Sequence, residues 1–426
     1  MRKSLLAVMG VVLLLLIVAG LASVRGAGDT YVVNSTSDTD DDSCDALSAT
    51  TDCTLREAIN EADEDGGDST IVFNIPITDT GYQVSGVSGT WTISLTSNLP
   101  SLTEGGTTIS GTTQAAFIGV DLNPLGPEIE ITGASMAADS VCFIVESAGN
   151  LIHGLVINGC AYSGIVISSG EADGNTVSGS YIGTDASGSS GPGNGRNGIL
   201  IAGGPNNNTI GGTMPGEGNV ISLNGWSGVE VSGSGTDGNV VCGNYIGTDE
   251  SGTLDLGNSQ HGILVSAFAQ ENRTGPGNLI FGNGADGVRI DGYLTISNTV
   301  TENSIYGNDW EGIELVAAGA NNDIAAPSID LATCVSISGT APANSTVEVF
   351  TGPDNQGKTY LATCSADGAG NWSVTGLFAL DTYVTATATD AAGNTSEFSI
   401  AAIPDACRNV FVPLVTKNYS ADPGKD

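Results

Sequence analysis

Basic residues are scarce in this chain of 426 residues. It contains 11 Lys and Arg against 47 Asp and Glu, which gives a formal net charge of −36. Phosphate contacts need clustered Lys and Arg, so the composition argues against nucleic acid as a partner. Such acidity keeps an exported protein soluble and leaves divalent cations as candidate partners.

Histidine is equally scarce, and no Cys-x-x-Cys pair occurs. A zinc site or a dithiol redox site is therefore not predicted. Neither His153 nor His261 has the sequence context of a Ser-His-Asp triad. We interpret His153, in Leu-Ile-His-Gly, as a structural corner residue. No motif requires a cofactor.

The first 26 residues have the layout of a signal peptide. Arg2 and Lys3 precede an apolar run over 5–21, and small residues follow up to Gly26. The prediction is cleavage after Gly26 and a secreted or cell-surface protein. The alternative is an uncleaved membrane anchor, because 17 apolar residues nearly span a bilayer.

Eight cysteines can form disulfides in an exported chain. Cys44 and Cys53 flank a short acidic loop and are predicted to pair. Cys142 and Cys160 are close enough to pair within or between repeats. The sequence does not fix the partners of Cys142, Cys160, Cys242, Cys334, Cys364 and Cys407.

A short phrase, glycine followed by apolar-x-apolar, recurs through the middle of the chain. It starts at Gly164, Gly198, Gly228, Gly262, Gly287 and Gly312, with spacings of 34, 30, 34, 25 and 25 residues. Each phrase is typical of a short strand whose alternate side chains face one way. Asn-x-apolar phrases lie between them, and Gly and Asn tolerate the positive φ of sharp corners.

These repeats predict an all-β fold whose middle, residues 105–322, is a right-handed parallel β-helix. Stacked coils would bury one inward column and align the corner asparagines in a hydrogen-bonded ladder. The alternative is a propeller or sandwich, but propeller blades repeat at about 40–50 residues. The predicted inward column is Ile165, Ile199, Val229, Ile263, Val288 and Ile313.

The phrase Cys53-Thr54-Leu55-Arg56-Glu57-Ala58 resembles the Cys-Ser-Leu-Arg-Glu-Ala signature of an N-terminal module of bacterial and archaeal surface proteins, with Thr replacing Ser. The flanking 30–34 and 70–74 also fit that module. The resemblance implies a module over 27–104 that precedes β-helix repeats of pectate-lyase-like architecture in an exported protein. It implies no established reaction. Residues 55–63 are predicted to form an amphipathic helix that covers the open end of the solenoid.

A different pattern follows residue 322. Thr346–Phe350 alternates as a strand, and the Asp390-to-Ser396 phrase is similar to the end of bacterial immunoglobulin-like domains. The resemblance implies a small β-sandwich over 323–403 that serves as a spacer or adhesive arm. Residues 404–426 form a tail that is either a sorting signal or a final edge strand.

The later repeats place aromatic and charged residues on one side of the predicted solenoid. Aromatic faces stack on sugar rings, while carboxylates and Arg hydrogen-bond hydroxyls or uronates. The alternative is structural ion pairing between coils, Arg289 with Glu314. The candidate glycan-binding residues are Trp226, Trp310, Glu230, His261, Asp286, Arg289, Glu311 and Glu314.

An acidic loop near Cys44 is a candidate calcium site. Calcium takes six to eight oxygen ligands, and Asp38, Asp40 and Asp42 supply carboxylates. The spacing departs from the EF-hand pattern, and a solvated acidic loop is the alternative.

The leading hypothesis is a non-catalytic surface or extracellular protein that binds glycans. The alternatives are a polysaccharide lyase or glycoside hydrolase on the same scaffold, and a purely structural spacer. Arg196, Arg273 and Arg289 are the only basic residues between Glu57 and Gln356, so lyase chemistry is poorly supplied. The sequence does not indicate an oligomeric state.

Overall fold

A computed structural model describes residues 28–41, 44, 52–85 and 88–405. Three sheets of parallel strands wind around one continuous apolar core. This confirms the predicted parallel β-helix, whose crossovers are right-handed as the twist of parallel strands dictates. From Phe143 onward each coil adds one strand to sheet 2, then to sheet 1, then to sheet 3.

The strands of each sheet follow in stacking order. Sheet 1 contains Thr30–Val33, Thr70–Phe73, Thr108–Ser110, Leu151–His153, Thr176–Ser178, Thr209–Gly211, Val240–Cys242, Arg273–Thr274 and Thr299–Val300. Sheet 2 contains Phe143–Val145, Ile165–Ser168, Ile199–Ala202, Val229–Ser232, Ile263–Ser266, Val288–Asp291 and Ile313–Val316. Sheet 3 contains Tyr82–Ser85, Ser88–Ser94, Ile129–Thr132, Leu155–Asn158, Tyr181–Ile182, Val220–Ile221, Tyr245–Ile246, Leu279–Phe281 and Ser304–Tyr306, of which the first pair is antiparallel.

The predicted inward column is present in sheet 2. The six residues from Ile165 to Ile313 pair in register from coil to coil, and each is at most 3 % exposed. Stacked branched side chains of this kind give each coil an apolar face that only its neighbours can bury.

Asparagines form three buried ladders at the corners of the coils. In most steps of each ladder an Asn Oδ1 accepts both the backbone N–H and the Nδ2–H of the asparagine one coil earlier, and in the remaining steps it accepts one of the two. The ladders satisfy corner N–H groups that have no strand partner. The first runs through Asn150, Asn175, Asn208, Asn239, Asn272, Asn298 and Asn321, the second through Asn219, Asn244, Asn278 and Asn303, and the third through Asn194, Asn224, Asn258, Asn283 and Asn308.

The parallel sheets begin earlier than the predicted boundary at residue 105. Thr30–Val33 pairs with Thr70–Phe73, which pairs with Thr108–Ser110. The stretch predicted as an N-terminal module therefore contributes the first strands of the solenoid itself. Helix α1, Leu55–Glu64, lies in the insertion between the first two strands. Helix α2, Thr113–Ile118, follows the third.

Helix α1 packs on the first strands and closes the end of the core. Leu55, Ala58, Ile59 and Ala62 are fully buried and join the apolar core of the solenoid. The structure contains the predicted bond between Cys44 and Cys53 just before the helix. The predicted helix is confirmed, and its buried face protects apolar groups that would otherwise meet water.

The side chains of the phrase from Cys53 to Ala58 hold this cap together. Thr54 and Glu57 form a capping box, each accepting the other's backbone N–H. Arg56 pairs with Asp38 at 2.7 Å and donates to the carbonyls of Ser97 and Asn98. The arginine thereby ties the helix to the loop after a strand of sheet 3.

Residues after 323 form a separate small sandwich of antiparallel strands. One sheet contains Leu331–Ala332, Ser336–Thr340 and Asn371–Thr375, and the other contains Thr359–Ser365, Thr346–Gly352 and Tyr383–Thr389. Val347, Val349, Trp372 and Val384 lie in its own core. A short 3₁₀ helix, Ala320–Asp323, precedes it. The sandwich itself agrees with the prediction, while membership of the immunoglobulin-like family stays a prediction.

The sandwich sits on the last coil of the solenoid. Gln356 continues the third asparagine ladder: its Oε1 accepts from the N–H and Nδ2–H of Asn308, and its Nε2 donates to the carbonyl of Asn308. Thr395 accepts the N–H of Val300 in sheet 1, and Glu397 accepts that of Leu315 in sheet 2. The sandwich therefore covers the last strands as a second cap, which blocks edge pairing.

A second disulfide joins Cys142 to Cys160, and Cys334 is also disulfide-bonded. Cys242 and Cys364 are free thiols. The predicted signal peptide, Cys407 and all but the first two residues of the predicted tail lie outside the described residues. Among the helices that the structure describes, none has the length and apolarity to span a membrane.

Candidate functional site

One residue per coil, two positions before each repeat glycine, forms a line along the surface. Backbone N–H groups donate to the carbonyl of the preceding member at every step, over 2.6–3.1 Å. Each residue of the line lies three positions before the first residue of a strand of sheet 2. We call this line the surface row, and it consists of Tyr162, Arg196, Trp226, Gln260, Ala285 and Trp310.

The two tryptophans of the surface row are exposed to solvent. Trp226 is 39 % exposed and Trp310 is 59 % exposed. They share one edge of the solenoid, as the spacing predicts. Three coil steps separate them, which corresponds to roughly 14 Å at about 4.8 Å per step. An extended chain of a few sugar units could contact both rings.

Arg196 lies between two aromatic rings at the start of the row. Its guanidinium carbon is 4.8 Å from the centroid of the Tyr162 ring and 5.6 Å from that of Trp226. Its Nη1 donates to the hydroxyl of Tyr162 over 2.9 Å. Cation–π contacts of this kind fix the plane of the guanidinium.

The neighbouring column, one position before each glycine, is largely buried. In this column a side chain accepts a hydrogen bond from the backbone N–H of the equivalent residue one coil later. Asn197 accepts from Ser227, His261 accepts from Asp286, and Asp286 accepts from Glu311. His261 is 7 % exposed and Asp286 is 1 % exposed. These two candidate binding residues hold the coils together and offer little surface to a ligand.

Asp286 is the centre of a small charge network. His261 Nδ1 lies 3.1 Å and Arg289 Nη1 3.2 Å from its Oδ2. Burial alone would raise the pKa of this carboxyl, but the adjacent His261 ring, the hydrogen bond from the Glu311 N–H and the Arg289 guanidinium hold it below its usual value. Arg289 also pairs with Asp291. The alternative pairing of Arg289 with Glu314 is not among the ion pairs of the described residues.

The remaining candidate carboxylates, Glu230, Glu311 and Glu314, lie near the row, and none of them belongs to an ion pair among the described residues. Glu230 accepts from Asn197. Glu314 faces Arg289 across the coils, and Glu311 is exposed beside Trp310. Burial and the nearby charges of Glu397, Asp286 and Glu311 raise the pKa of Glu314. The C-terminal end of the row is therefore acidic.

The candidate calcium residues are engaged in the N-terminal cap. Asp38 pairs with Arg56 and accepts from Thr96, while Asp40 accepts from Asn60. Asp42 lies outside the described residues. Over the part of the chain that the structure describes, no three His, Cys, Asp or Glu side chains gather as metal ligands. Calcium binding stays a prediction.

The sequence interpretation missed Tyr162 and Arg196 as site residues. Both occupy the same repeat position as the two tryptophans, so the signal was present in the spacing. A cleft of about 600 Å³ at the junction with the sandwich, lined by Asn322, Pro327, Pro342 and Asp390, contains no residue of the row. Apart from Ala285, which is buried, the residues of the row are half-buried or exposed and form an open surface.

Comparisons with known proteins give structural neighbours alone. No protein-family model matches, and no curated protein matches. The periplasmic alginate epimerase AlgG is similar at 15 % identity and a TM-score of 0.31. The match covers 62 % of this chain and 61 % of that one, less than two thirds of the epimerase. A protein described as Geobacillus virus E2 ORF18 is similar at 12 % identity and a TM-score of 0.28, over 82 % of this chain and 72 % of that one.

Proposed function

We propose that the protein is exported and binds a glycan chain along the surface row, without acting on it chemically. The observation that carries this proposal is the pair of exposed indole rings, Trp226 and Trp310, on one line of a rigid solenoid. Single exposed aromatics are ordinary on protein surfaces, whereas rings aligned along one line offer an extended binding surface. The flat ring of a tryptophan matches the apolar face of a sugar, while its edges leave the hydroxyls in water.

The rigidity of the scaffold supports the same proposal. Each row residue is fixed by a backbone hydrogen bond to the coil before it. A preformed surface loses little conformational entropy when a ligand binds. The disulfides support export, because such bonds persist in oxidising compartments.

The test is binding to a glycan array by the purified mature protein and by Trp226→Ala and Trp310→Ala variants. Each variant should bind the recognised glycan about tenfold or more weakly, a loss of about 1.4 kcal/mol. Thermal midpoints should remain near that of the parent protein, because both rings are exposed. Tyr293→Ala is the matched control: it removes a 65 % exposed aromatic outside the row and should bind normally.

The proposal fails if no glycan binds, or if the Tyr293 variant loses as much binding as the tryptophan variants. A substantial fall in the midpoint with normal binding per folded molecule would show that the rings are packing residues. The same array is read with and without calcium, which tests the predicted acidic-loop site.

Glycoside hydrolysis is a second candidate with one observation in its favour. The pKa of Glu314 is raised at the end of the row, and the general acid of a glycosidase is a carboxyl whose pKa is raised. A reducing-sugar assay on the array ligands decides between the two functions. Product release by the parent protein that disappears in Glu314→Gln would establish hydrolysis.

A further inference from the structure

We propose that Arg196 is the anion-recognition residue of the surface row and binds the carboxylate of an isolated acidic sugar unit in an otherwise neutral glycan. This inference rests on the proposed glycan-binding function. It assigns the ligand class from the charge and geometry around one side chain.

The first step is the missing ionic partner of Arg196. The protein holds more than four acidic residues for each basic one. Arg56 and Arg289 are both paired with aspartates. Within the described part of the chain, Arg196 has no carboxylate oxygen within 4.0 Å, although it is exposed. An unpaired guanidinium in so acidic a protein is available to pair with an anionic group of a ligand.

The second step is the orientation of the guanidinium. Tyr162 and Trp226 hold it from two sides, and the Tyr162 hydroxyl takes one of its N–H donors. A guanidinium has five N–H donors, so four remain. A planar fork with fixed orientation matches the two oxygens of a carboxylate, and less rotamer entropy is lost when the pair forms. A tetrahedral sulfate ester offers oxygens of the same charge, so the test includes one.

The third step is the position of Arg196 beside Trp226. A sugar stacked on the exposed Trp226 ring would place a substituent of the adjoining unit one coil step away, about 4.8 Å. That is the position of Arg196 in the row. The neutral sugars and the acidic unit would therefore contact consecutive members of one line.

The fourth step limits how many charges the ligand carries. The protein has a formal net charge of −36, and Glu311 and Glu314 lie at the far end of the row near Trp310. A dense polyanion would meet repulsion there, and charges within about 8 Å interact even at physiological salt. One acidic unit at Arg196 followed by neutral sugars toward Trp310 avoids that repulsion.

The experiment is titration of tryptophan fluorescence with four oligosaccharides. They are xylotriose carrying one 4-O-methylglucuronate, the same compound with its carboxyl reduced to an alcohol, a singly sulfated xylotriose, and hexagalacturonate. The parent protein should bind the single uronate about tenfold or more tightly than its reduced form, as charge-assisted bidentate hydrogen bonds do. Hexagalacturonate should bind more weakly than the single uronate.

Variants test whether Arg196 is responsible for the preference for the uronate. Arg196→Gln should lose the preference, so that the uronate and its reduced form bind with similar affinity. Arg196→Lys keeps the charge without the planar fork and should retain part of the preference. Arg273→Gln is the matched control, because it removes the same charge from an exposed arginine on sheet 1 that has no aromatic ring over it among the described residues.

Each outcome decides the inference. A parent protein that binds both forms equally, or an Arg196→Gln variant that keeps the preference, overturns it while glycan binding stands. Equal loss in Arg273→Gln overturns it too, because the effect would then be general charge. Preference for the sulfate ester over the uronate reassigns the site to sulfate and overturns the carboxylate assignment. If the four compounds and the array all fail to bind, the inference and the proposed function fail together.

Discussion

The asparagine ladders and the surface row are built by the same coils and differ in what repeats. Every step of the first ladder from Asn150 to Asn321 is an asparagine. The surface row changes residue at every step, from Tyr162 to Trp310. The corner geometry demands one side chain that can accept and donate to the next coil. The fold requires no particular side chain in the surface row, so structural needs do not account for its aromatic and cationic residues.

The largest effect should come from breaking a ladder in its middle. Asn239→Ala removes the acceptor of the Asn208 N–H and Nδ2–H and the donor to Asn272. Buried polar groups left unpaired cost about 1–3 kcal/mol each, so we expect a loss of about 4 kcal/mol. Urea unfolding measures it.

Gln260→Ala is the comparison variant from the row, and it should change stability by less than about 0.5 kcal/mol. If the two variants lose similar amounts, the contrast between ladder and row is wrong.

A somewhat smaller loss should follow from breaking the cap at the start of the ladders. Arg56→Ala leaves the Asp38 carboxylate, a largely buried partner, without its cation and frees the carbonyls of Ser97 and Asn98. We expect a loss of about 3 kcal/mol. A double-mutant cycle with Asp38→Ala separates the pair from its surroundings. A coupling energy near zero would show that Arg56 has another role.

Two buried carboxyls should respond to pH in opposite directions. The pKa of Asp286, with His261 and Arg289 beside it, is lowered, so its stabilisation is present above the usual aspartate pKa and is lost as pH falls. The pKa of Glu348, which accepts from Thr301 and Glu302 at the sandwich junction, is raised mainly by burial. The contribution of Glu348 is therefore greatest below the usual glutamate pKa and is lost as pH rises.

Thermal midpoints from pH 2.5 to pH 8 test this comparison in Asp286→Asn and Glu348→Gln. The stability of the parent protein relative to Asp286→Asn should rise with pH, and its stability relative to Glu348→Gln should fall with pH. The amide introduced by the Glu348→Gln substitution keeps one acceptor for the Glu302 N–H and one donor for Thr301. The same slope in both comparisons would contradict the assignment.

The sequence predicted the features that a repeated or local pattern encodes. Ile165 and its equivalents, the asparagine ladders, helix α1 and the Cys44–Cys53 bond all follow from spacing, amphipathicity or proximity. The start of the solenoid did not follow, because the insertion between Thr30–Val33 and Thr70–Phe73 hides the first repeat. The sequence interpretation grouped His261 and Asp286 with the candidate binding residues on one side of the solenoid, but their side chains turn under the next coil. The ring contacts of Arg196 depend on rotamers, which spacing does not encode.

The smallest expected effect is a gain in the row itself. Gln260 lies one coil step after Trp226 and two before Trp310, and its side chain is half-buried. Gln260→Trp would place a third indole between the other two. An added aromatic contact of about 0.5–1 kcal/mol corresponds to two- to fivefold tighter glycan binding. Gln260→Leu adds apolar area without a flat ring and should gain less. If both variants gain equally, the row binds its ligand through apolar area rather than ring stacking; if neither gains, the ligand does not run along the line between the two tryptophans.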